Sequence, residues 1–214
     1  MKTIADIVLM FLILSNLAFL GISRLKTCIR ILALQGLSLG ILPFLIHIPA
    51  FSYDSVLLAV GSILLRGLIF PYYLEKAMRK ADVRHEVEPF IGYSFSILFG
   101  MGLLFISAWL GFRLQIPYLL TSRLLVPSSL FTIMTGLFIL ISRRKALSQV
   151  IGYLVMENGI YTLGITLVHE QPFIIELGIL LDIFAGVFIM GIMIFHISRA
   201  FDHIDIDKLS SLKE

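Results

Sequence analysis

Three charged side chains lie inside long apolar stretches of this sequence. Glu157 and Asp182 each occupy the middle of an apolar run near the C-terminus, and Arg66 lies within an earlier run. A charged group at the centre of a bilayer costs about 2.5–3.5 kcal/mol on insertion scales, so each of them needs a partner, water or a proton. The chemistry that such groups can perform is proton transfer or charge pairing at membrane depth.

The roles of the two acids depend on which of them Arg66 holds. An arginine partner favours the charged form of a carboxyl group, whereas burial alone disfavours it. A proton relay needs an acid whose charge can change, so the acid not held by Arg66 is the better relay candidate, and Glu157 is favoured in that role. The alternative is a neutralised cluster of Arg66, Asp182 and Glu157 that holds the helices in register.

Other polar residues in the apolar runs are candidates for the same pathway or for helix contacts. Gln35, Ser38 and Asn158 are residue types that more commonly form hydrogen bonds between membrane helices. Glu176 marks either the outer mouth of a path or a hydrated helix end. The predicted proton-pathway residues are Glu157, Asp182, Arg66, Gln35 and Glu176.

The composition is that of an integral membrane protein. Hydrophobic residues make up 58% of the 214 residues and charged residues only 14%, against about 45–50% and about 25% in globular domains. The apolar runs are long enough to cross about 30 Å of hydrocarbon and lack the period-two pattern of a barrel, so they must be helices. The predicted fold class is all-α, an integral membrane bundle of about seven transmembrane helices at 4–22, 29–49, 55–74, 89–112, 125–142, 148–168 and 173–198.

Lysine and arginine residues alternate between the connecting segments. Of the 17 basic residues, 13 follow the odd-numbered helices, 3 lie on the opposite side and Arg66 lies within a helix. By the positive-inside rule, the N-terminus is outside and the C-terminus is cytoplasmic. The predicted location is the cell inner (cytoplasmic) membrane.

A weak internal repeat relates the two ends of the chain. The pattern Ile-Ser-Arg-x-Lys occurs at 22–26 and again at 141–145. In the same way, Ile-Leu-Leu-Arg at 63–66 aligns with Ile-Leu-Leu-Asp at 179–182. The similar offsets predict two three-helix repeats flanking a fourth helix, with chance similarity in an apolar alphabet as the alternative. The predicted units are an N-terminal three-helix unit at 1–88, the fourth helix and an outer loop at 89–124, a C-terminal three-helix unit at 125–198 and a cytoplasmic tail at 199–214.

Cofactor chemistry is not expected of this chain. The single cysteine, Cys28, excludes an internal disulfide and cysteine clusters for zinc or iron–sulfur. The histidines lack the spacing of a haem or metal pair, and no nucleotide-binding loop or catalytic serine motif occurs. The net charge of +3 comes from basic residues beside apolar runs and does not indicate nucleic-acid binding.

The C-terminal part of the sequence resembles a known family. Met-Glu-Asn-Gly-Ile-Tyr at 156–161, the apolar run at 176–191 and Phe-Asp-His-Ile-Asp-Ile-Asp at 201–207 look like hydrogenase-4 component E and related formate hydrogenlyase membrane subunits. The resemblance covers the whole chain in length and helix count and is most specific over 149–208.

The last three predicted helices also resemble the K subunit of complex I and the C subunit of multisubunit cation/proton antiporters. That family carries a membrane glutamate in the pattern Ile-Gly-x-Glu-x-Met-x-Asn, which matches 151–158 except that Leu154 takes the glutamate position. Glu157 lies three residues further on, about one helical turn away, and is the substitute acid. A second acid four residues before a glycine corresponds to Asp182 and Gly186.

The resemblance implies a membrane-arm subunit of an energy-converting nickel–iron hydrogenase complex of the formate hydrogenlyase type. Its implied partners are antiporter-like and other membrane-arm subunits, lipids and, indirectly, the peripheral hydrogenase arm that holds the metal centres. The chain itself would be a non-catalytic subunit that contributes to proton translocation. The alternatives are a structural bridge without a proton path and a subunit of a multisubunit cation/proton antiporter.

Overall fold

The computed structural model describes residues 2–46, 60–61, 63–80, 90–114 and 122–167, together with positions 186 and 191. This part of the chain contains no strand, which confirms the predicted all-α class. Its elements are helix α1 Lys2–Gly21, helix α2 Leu25–Ile46, a π-helical segment Ile63–Ile69, helix α3 Phe70–Lys80, helix α4 Tyr93–Arg113, helix α5 Leu125–Ser142 and helix α6 Ala146–Leu167.

Four of the described helices, α1, α2, α4 and α5, are long and apolar enough to cross a membrane. Helix α6 is equally long but carries Glu157 and Asn158 near its middle. The predicted seventh helix at 173–198 lies outside the described residues except for two glycines. The chain is therefore a multi-pass membrane protein, while the count of seven helices stays a prediction.

Two helical hairpins form the frame of the bundle. Residues 22–24 join α1 to α2, and residues 143–145 join α5 to α6, so the helices of each pair run antiparallel. Helix α1 packs on α5 and helix α2 packs on α6, and both connections lie at the same end. This pairing fits the predicted repeat, although the repeat and the unit boundaries at 88 and 125 stay predictions.

Glycines bring α5 and α6 into close contact. A Cβ atom added to Gly136 would lie 2.3 Å from the Met156 nitrogen, and one added to Gly152 would lie 2.7 Å from the Leu140 nitrogen. Real Cβ atoms do not approach backbone atoms this closely, so only glycine permits the observed separation. Small residues at helix contacts are a general device of membrane bundles, where close packing takes the place of the hydrophobic effect.

The third predicted span differs from the structure in form and in extent. The sequence predicts a transmembrane helix that ends at residue 74. Instead, the described part of this span is π-helical at Ile63–Ile69, and α3 continues to Lys80. Pro71 lacks the N–H that would bond the Gly67 carbonyl, which interrupts the α-helical ladder at the junction.

Helix α3 extends past the apolar run because it is amphipathic. Leu74, Ala77 and Met78 are buried against the bundle. On the opposite face Arg79 donates a hydrogen bond of 2.9 Å to Glu75 one turn earlier, and this bond holds the pKa of the Glu75 carboxyl below its usual value. The spacing of the charged residues after Leu74 suits a half-buried helix.

Candidate functional site

A buried ion pair joins the N-terminal and C-terminal parts of the bundle. Arg66 Nη2 lies 3.1 Å from Glu157 Oε1, and the two side chains are only 4% and 1% exposed. Arg66 comes from the π-helical segment and Glu157 from the middle of α6. A pair removed from water in this way is stable only when both charges remain matched.

Arg66 also contacts two neighbours of Glu157 on α6. Its Nη1 donates to Asn158 Oδ1 at 3.4 Å, and its guanidinium carbon lies 4.3 Å from the centre of the Tyr161 ring. Thr162 adds an internal bond from its hydroxyl to the Asn158 carbonyl at 2.7 Å. One arginine therefore binds a carboxylate, an amide and an aromatic face on two turns of a single helix.

A chain of hydrogen bonds extends from this pair across the bundle. Asn158 Nδ2 donates to Gln35 Oε1 at 3.4 Å, and Gln35 Nε2 donates to Ser15 Oγ at 2.6 Å and Asn16 Oδ1 at 3.0 Å. Asn16 Nδ2 then donates to Thr132 Oγ1 at 2.7 Å. All of these side chains are buried, so a continuous polar network links α1, α2, α5, α6 and the π-helical segment.

Glycines on α2 allow the π-helical segment to approach closely enough for this network. A Cβ at Gly36 would lie 2.6 Å from the Arg66 carbonyl carbon, and one at Gly40 would overlap the Ile63 side chain at 2.0 Å. Gly67 faces Leu37 in the same contact, with a Cβ only 2.7 Å from Leu37 Cδ2. The spacing of Gly36 and Gly40 is the small-xxx-small pattern of close helix contacts.

The π-helical geometry sets the position of Arg66. Such segments are rare, occur mostly as single turns within helices and are frequent at functional sites. Here the wider turn includes Arg66 itself and lies directly against Gly36. The ion pair thus depends on local backbone geometry as well as on side-chain chemistry.

Chemically, Glu157 is the residue of this network that can gain and lose a proton. The Gln35, Asn16 and Asn158 amides hold hydrogen bonds at both ends, but amides do not titrate in the physiological range. The arginine remains charged under all ordinary conditions. Hydrogen bonds connect the Glu157 carboxylate, through Arg66 and Asn158, to α1, α2 and α5.

The structure brings three of the five predicted pathway residues together. Glu157, Arg66 and Gln35 belong to one network, whereas Asp182 and Glu176 lie outside the described residues. Glu157 was favoured because it was expected to be the acid not held by Arg66, and that expectation is wrong: Arg66 holds it directly. A role of Glu157 in proton transfer stays a prediction. It has to be argued for a Glu157 that is paired with Arg66.

Sequence reasoning placed some of the smaller polar residues correctly and missed others. Asn158 and Gln35 do form hydrogen bonds between helices, as predicted. Ser38 forms none with the described residues, and its hydroxyl donates to the Leu34 carbonyl of its own helix. Asn16 and Thr132 were not singled out, although an asparagine within an apolar run is itself a signal of an interhelical contact.

Known proteins are similar to this chain in both its N-terminal and its C-terminal part. Residues 124–214 match the family model for NADH-ubiquinone/plastoquinone oxidoreductase chain 4L. Uncharacterized protein Rv0085 of Mycobacterium tuberculosis is 30% identical over 211 residues, which cover 95% of this chain and 93% of the relative. Hydrogenase-4 component E of Escherichia coli strain K12 is 23% identical over 155 residues, which cover 72% of each chain.

The chain belongs to the same family as Rv0085, and hydrogenase-4 component E is a further homologue. Its C-terminal part is a chain 4L-type domain that contains Glu157, Asn158 and Thr132. Arg66, Gln35 and Asn16 precede that domain, so in this family member the N-terminal helices supply the positive partner of the buried acid. No solved structure matches the chain.

Proposed function

We propose that this chain is a membrane-arm subunit of an energy-converting nickel–iron hydrogenase complex of the formate hydrogenlyase type, in which the Arg66–Glu157 pair contributes to proton translocation. The similarity to hydrogenase-4 component E and the chain 4L-type domain support the assignment to a membrane arm. The observation that carries the proton role is the burial of an acid, 1% exposed, inside a polar network that spans the bundle. The partners are antiporter-like and other membrane-arm subunits, with the metal centres held in a peripheral arm.

In this proposal the charge on Glu157 controls the arrangement around Arg66. Protonation of Glu157 neutralises the carboxylate and weakens its charge-assisted bond with Arg66. Arg66 then retains Asn158 and Tyr161 as partners, so its side chain stays in the network while the acid is released to pass its proton on. Asp182 and Glu176 remain the further predicted acids of the route.

Replacement of Glu157 by glutamine tests this role. The amide keeps the size of the side chain and can still accept from Arg66, so we expect an assembled complex that evolves hydrogen but takes up fewer protons per hydrogen molecule turned over. Proton uptake and hydrogen turnover are measured together in vesicles that hold the complex. Glu75→Gln is the matched control, because it removes an exposed acid of α3 that is outside the network.

An unchanged ratio of protons to hydrogen in Glu157→Gln would contradict the proton role. It would favour the second candidate function, a structural bridge whose buried charges only hold helices together. The observation that favours this second candidate is that the same network connects five elements of the bundle. A bridge of this kind depends on the pairing of Arg66 and Glu157 for assembly rather than on the titration of the acid.

Purification of the tagged chain from its native membrane in mild detergent separates the hydrogenase proposal from an antiporter without a redox arm. We expect nickel, iron, hydrogen turnover and large antiporter-like subunits in the same preparation. Antiporter-like subunits without metal would contradict the hydrogenase assignment and favour the antiporter. This result does not depend on the role of Glu157, so the two proposals fail independently.

We also propose that the chain lies in the cell inner membrane with its N-terminus outside and its C-terminus in the cytoplasm. The hairpin connections that hold Arg24, Arg143, Arg144 and Lys145 lie at one end of the bundle. Basic residues concentrate on the cytoplasmic side of membrane proteins, which assigns that end to the cytoplasm.

A further inference from the structure

Arg143 is a buried arginine without an acidic partner among the described residues. Its side chain is 3% exposed, although it lies in the short connection between α5 and α6. Its Nη2 donates to the Leu20 carbonyl at 3.2 Å, and its guanidinium carbon lies 4.7 Å from the centre of the Tyr93 ring. Its Nη1 is buried and has no hydrogen-bond partner within the described residues.

One carbonyl and one aromatic ring compensate a full positive charge poorly. Burying an arginine costs several kcal/mol unless an anion and further hydrogen bonds offset the loss of water. The exposed neighbour Arg144 stacks on Phe90 and does not face this problem, because water reaches it. An anionic group beside Arg143 would therefore lower the free-energy cost of burying its charge.

A cleft beside Arg143 provides the place for such a group. One wall comes from the first hairpin and includes Ser23 in its connection and Cys28 at the start of α2. The start of α6 contributes Ser148. The open space within it is about 20 Å³, enough for a single group the size of a water molecule or a phosphate oxygen.

Two helix N-termini converge on the same cleft. Leu25 and Cys28 belong to the first turn of α2, and Ser148 belongs to the first turn of α6. The positive ends of both helix dipoles favour an anion at this point. They act together with the buried guanidinium of Arg143, which lines the same cleft and whose Nη1 has no hydrogen-bond partner among the described residues.

The cleft also lies where membrane phosphates are found. The helices around it end or begin at residues 21, 25, 142 and 146, so it is at the membrane boundary rather than at mid-bilayer. Arg24, Lys26 and Arg144 are exposed at the same end and add long-range attraction. The cleft therefore lies at the level of the lipid phosphates, so a phosphate group at the bilayer surface can place an oxygen in it without moving into the hydrocarbon.

We propose that Arg143 and the cleft bind a phosphate group, held on the headgroup of an anionic phospholipid or free as inorganic phosphate. One phosphate oxygen enters the cleft between the two helix N-termini, and its charge offsets that of Arg143. The bound group contacts both hairpins at the end of the bundle where their connections lie together. This site is separate from the Arg66–Glu157 network and does not depend on the role proposed for it.

Lipid binding to the purified, delipidated full chain tests the proposal. The thermal unfolding midpoint is followed in detergent during titration with phosphatidylglycerol, with phosphatidylcholine, and with sodium phosphate against sodium chloride at equal ionic strength. We expect phosphatidylglycerol to stabilise the wild type at lower concentration than phosphatidylcholine if the source is a lipid. Stabilisation by inorganic phosphate over chloride, without a preference between the lipids, would assign the same site to free phosphate.

Arg143→Gln is expected to raise the concentration of the effective ligand that is needed for half-maximal stabilisation about ten- to hundredfold, the size typical of a lost charged hydrogen bond. Arg144→Gln is the matched control, since it removes an adjacent, exposed charge and should respond like the wild type. If Arg143→Gln does not fold, Ser23→Leu fills the cleft without touching the guanidinium and should give the same loss. Equal responses to all four additives in the wild type, or an equal loss in Arg144→Gln and the cleft variants, would overturn the proposal.

Discussion

At the scale of single residues, Arg66 and Glu157 form an ion pair that is almost completely buried. Each charge has a partner within hydrogen-bond distance, and Asn158 and Tyr161 also contact the guanidinium. Such a pair contributes little net stability relative to an apolar pair of the same size. It becomes very costly when only one partner is removed, because the other charge is then left buried and unmatched.

Arg66→Met alone is therefore expected to destabilise the chain by about 3–5 kcal/mol, which lowers the thermal unfolding midpoint in detergent by roughly 10 °C for a chain of this length. The double variant Arg66→Met with Glu157→Leu should recover most of that loss. Arg79→Leu is the control, since its pair with Glu75 is exposed and should matter little. A double variant no more stable than Arg66→Met would mean that the two charges do not compensate each other.

At the scale of elements, the contact between α2 and the π-helical segment positions the pair. Gly36 and Gly40 lie one turn apart on α2 and face Arg66 and Ile63 across a gap with no room for a methyl group. Because Gly36 faces the Arg66 backbone, no side chain can rotate away there to make space. The position of the Arg66 guanidinium is thus determined by glycines on another helix.

Gly36→Ala should separate these two elements and move Arg66 away from Glu157. We expect a loss of about 1–3 kcal/mol, the range typical of overpacking, measured as a lower unfolding midpoint. Gly102→Ala is the matched control on α4, where an added Cβ meets nothing within 4 Å. That substitution should be neutral or slightly stabilising, since alanine favours a helix over glycine. Equal effects of the two substitutions would argue against the close contact.

At the scale of the whole molecule, the two hairpins meet so that their connections lie together. Arg143 of the second hairpin donates to the Leu20 carbonyl of the first, and the cleft beside it is lined by both. At the opposite end, Ser122 before α5 donates a hydrogen bond to Asp6 near the start of α1. The basic connections and the acidic contact are thus separated by the length of the helices.

Single cysteines test this arrangement and the proposed orientation. In a Cys28→Ala background, cysteines in place of Arg24 and Arg144 should both react with a membrane-impermeant reagent from the cytoplasmic side. A cysteine in place of Arg113, at the end of α4, should react only from outside. Labelling of the first two positions from opposite sides would contradict the fold, whereas labelling of all three with the sides exchanged would contradict only the orientation.

The sequence by itself determined the class of the protein and several residues of the buried polar network. Long apolar runs left helices as the only way to pair every backbone group in lipid. A charge in hydrocarbon is costly enough that Glu157, Arg66 and Gln35 were recognisable from their surroundings alone. The motifs around 156–161 and 201–207 were sufficient to identify the family.

The tertiary structure alone decided which charges meet and how the helices approach each other. Arg66 and Glu157 are 91 positions apart, and the apolar runs between them contain no signal for register, since every face of a membrane helix is hydrophobic. The π-helical turn and the continuation of α3 to Lys80 depend on packing that hydropathy does not encode. The burial of Arg143 was equally invisible in the sequence, where it is one of several basic residues at the end of an apolar run. It becomes buried only when the two hairpins pack together.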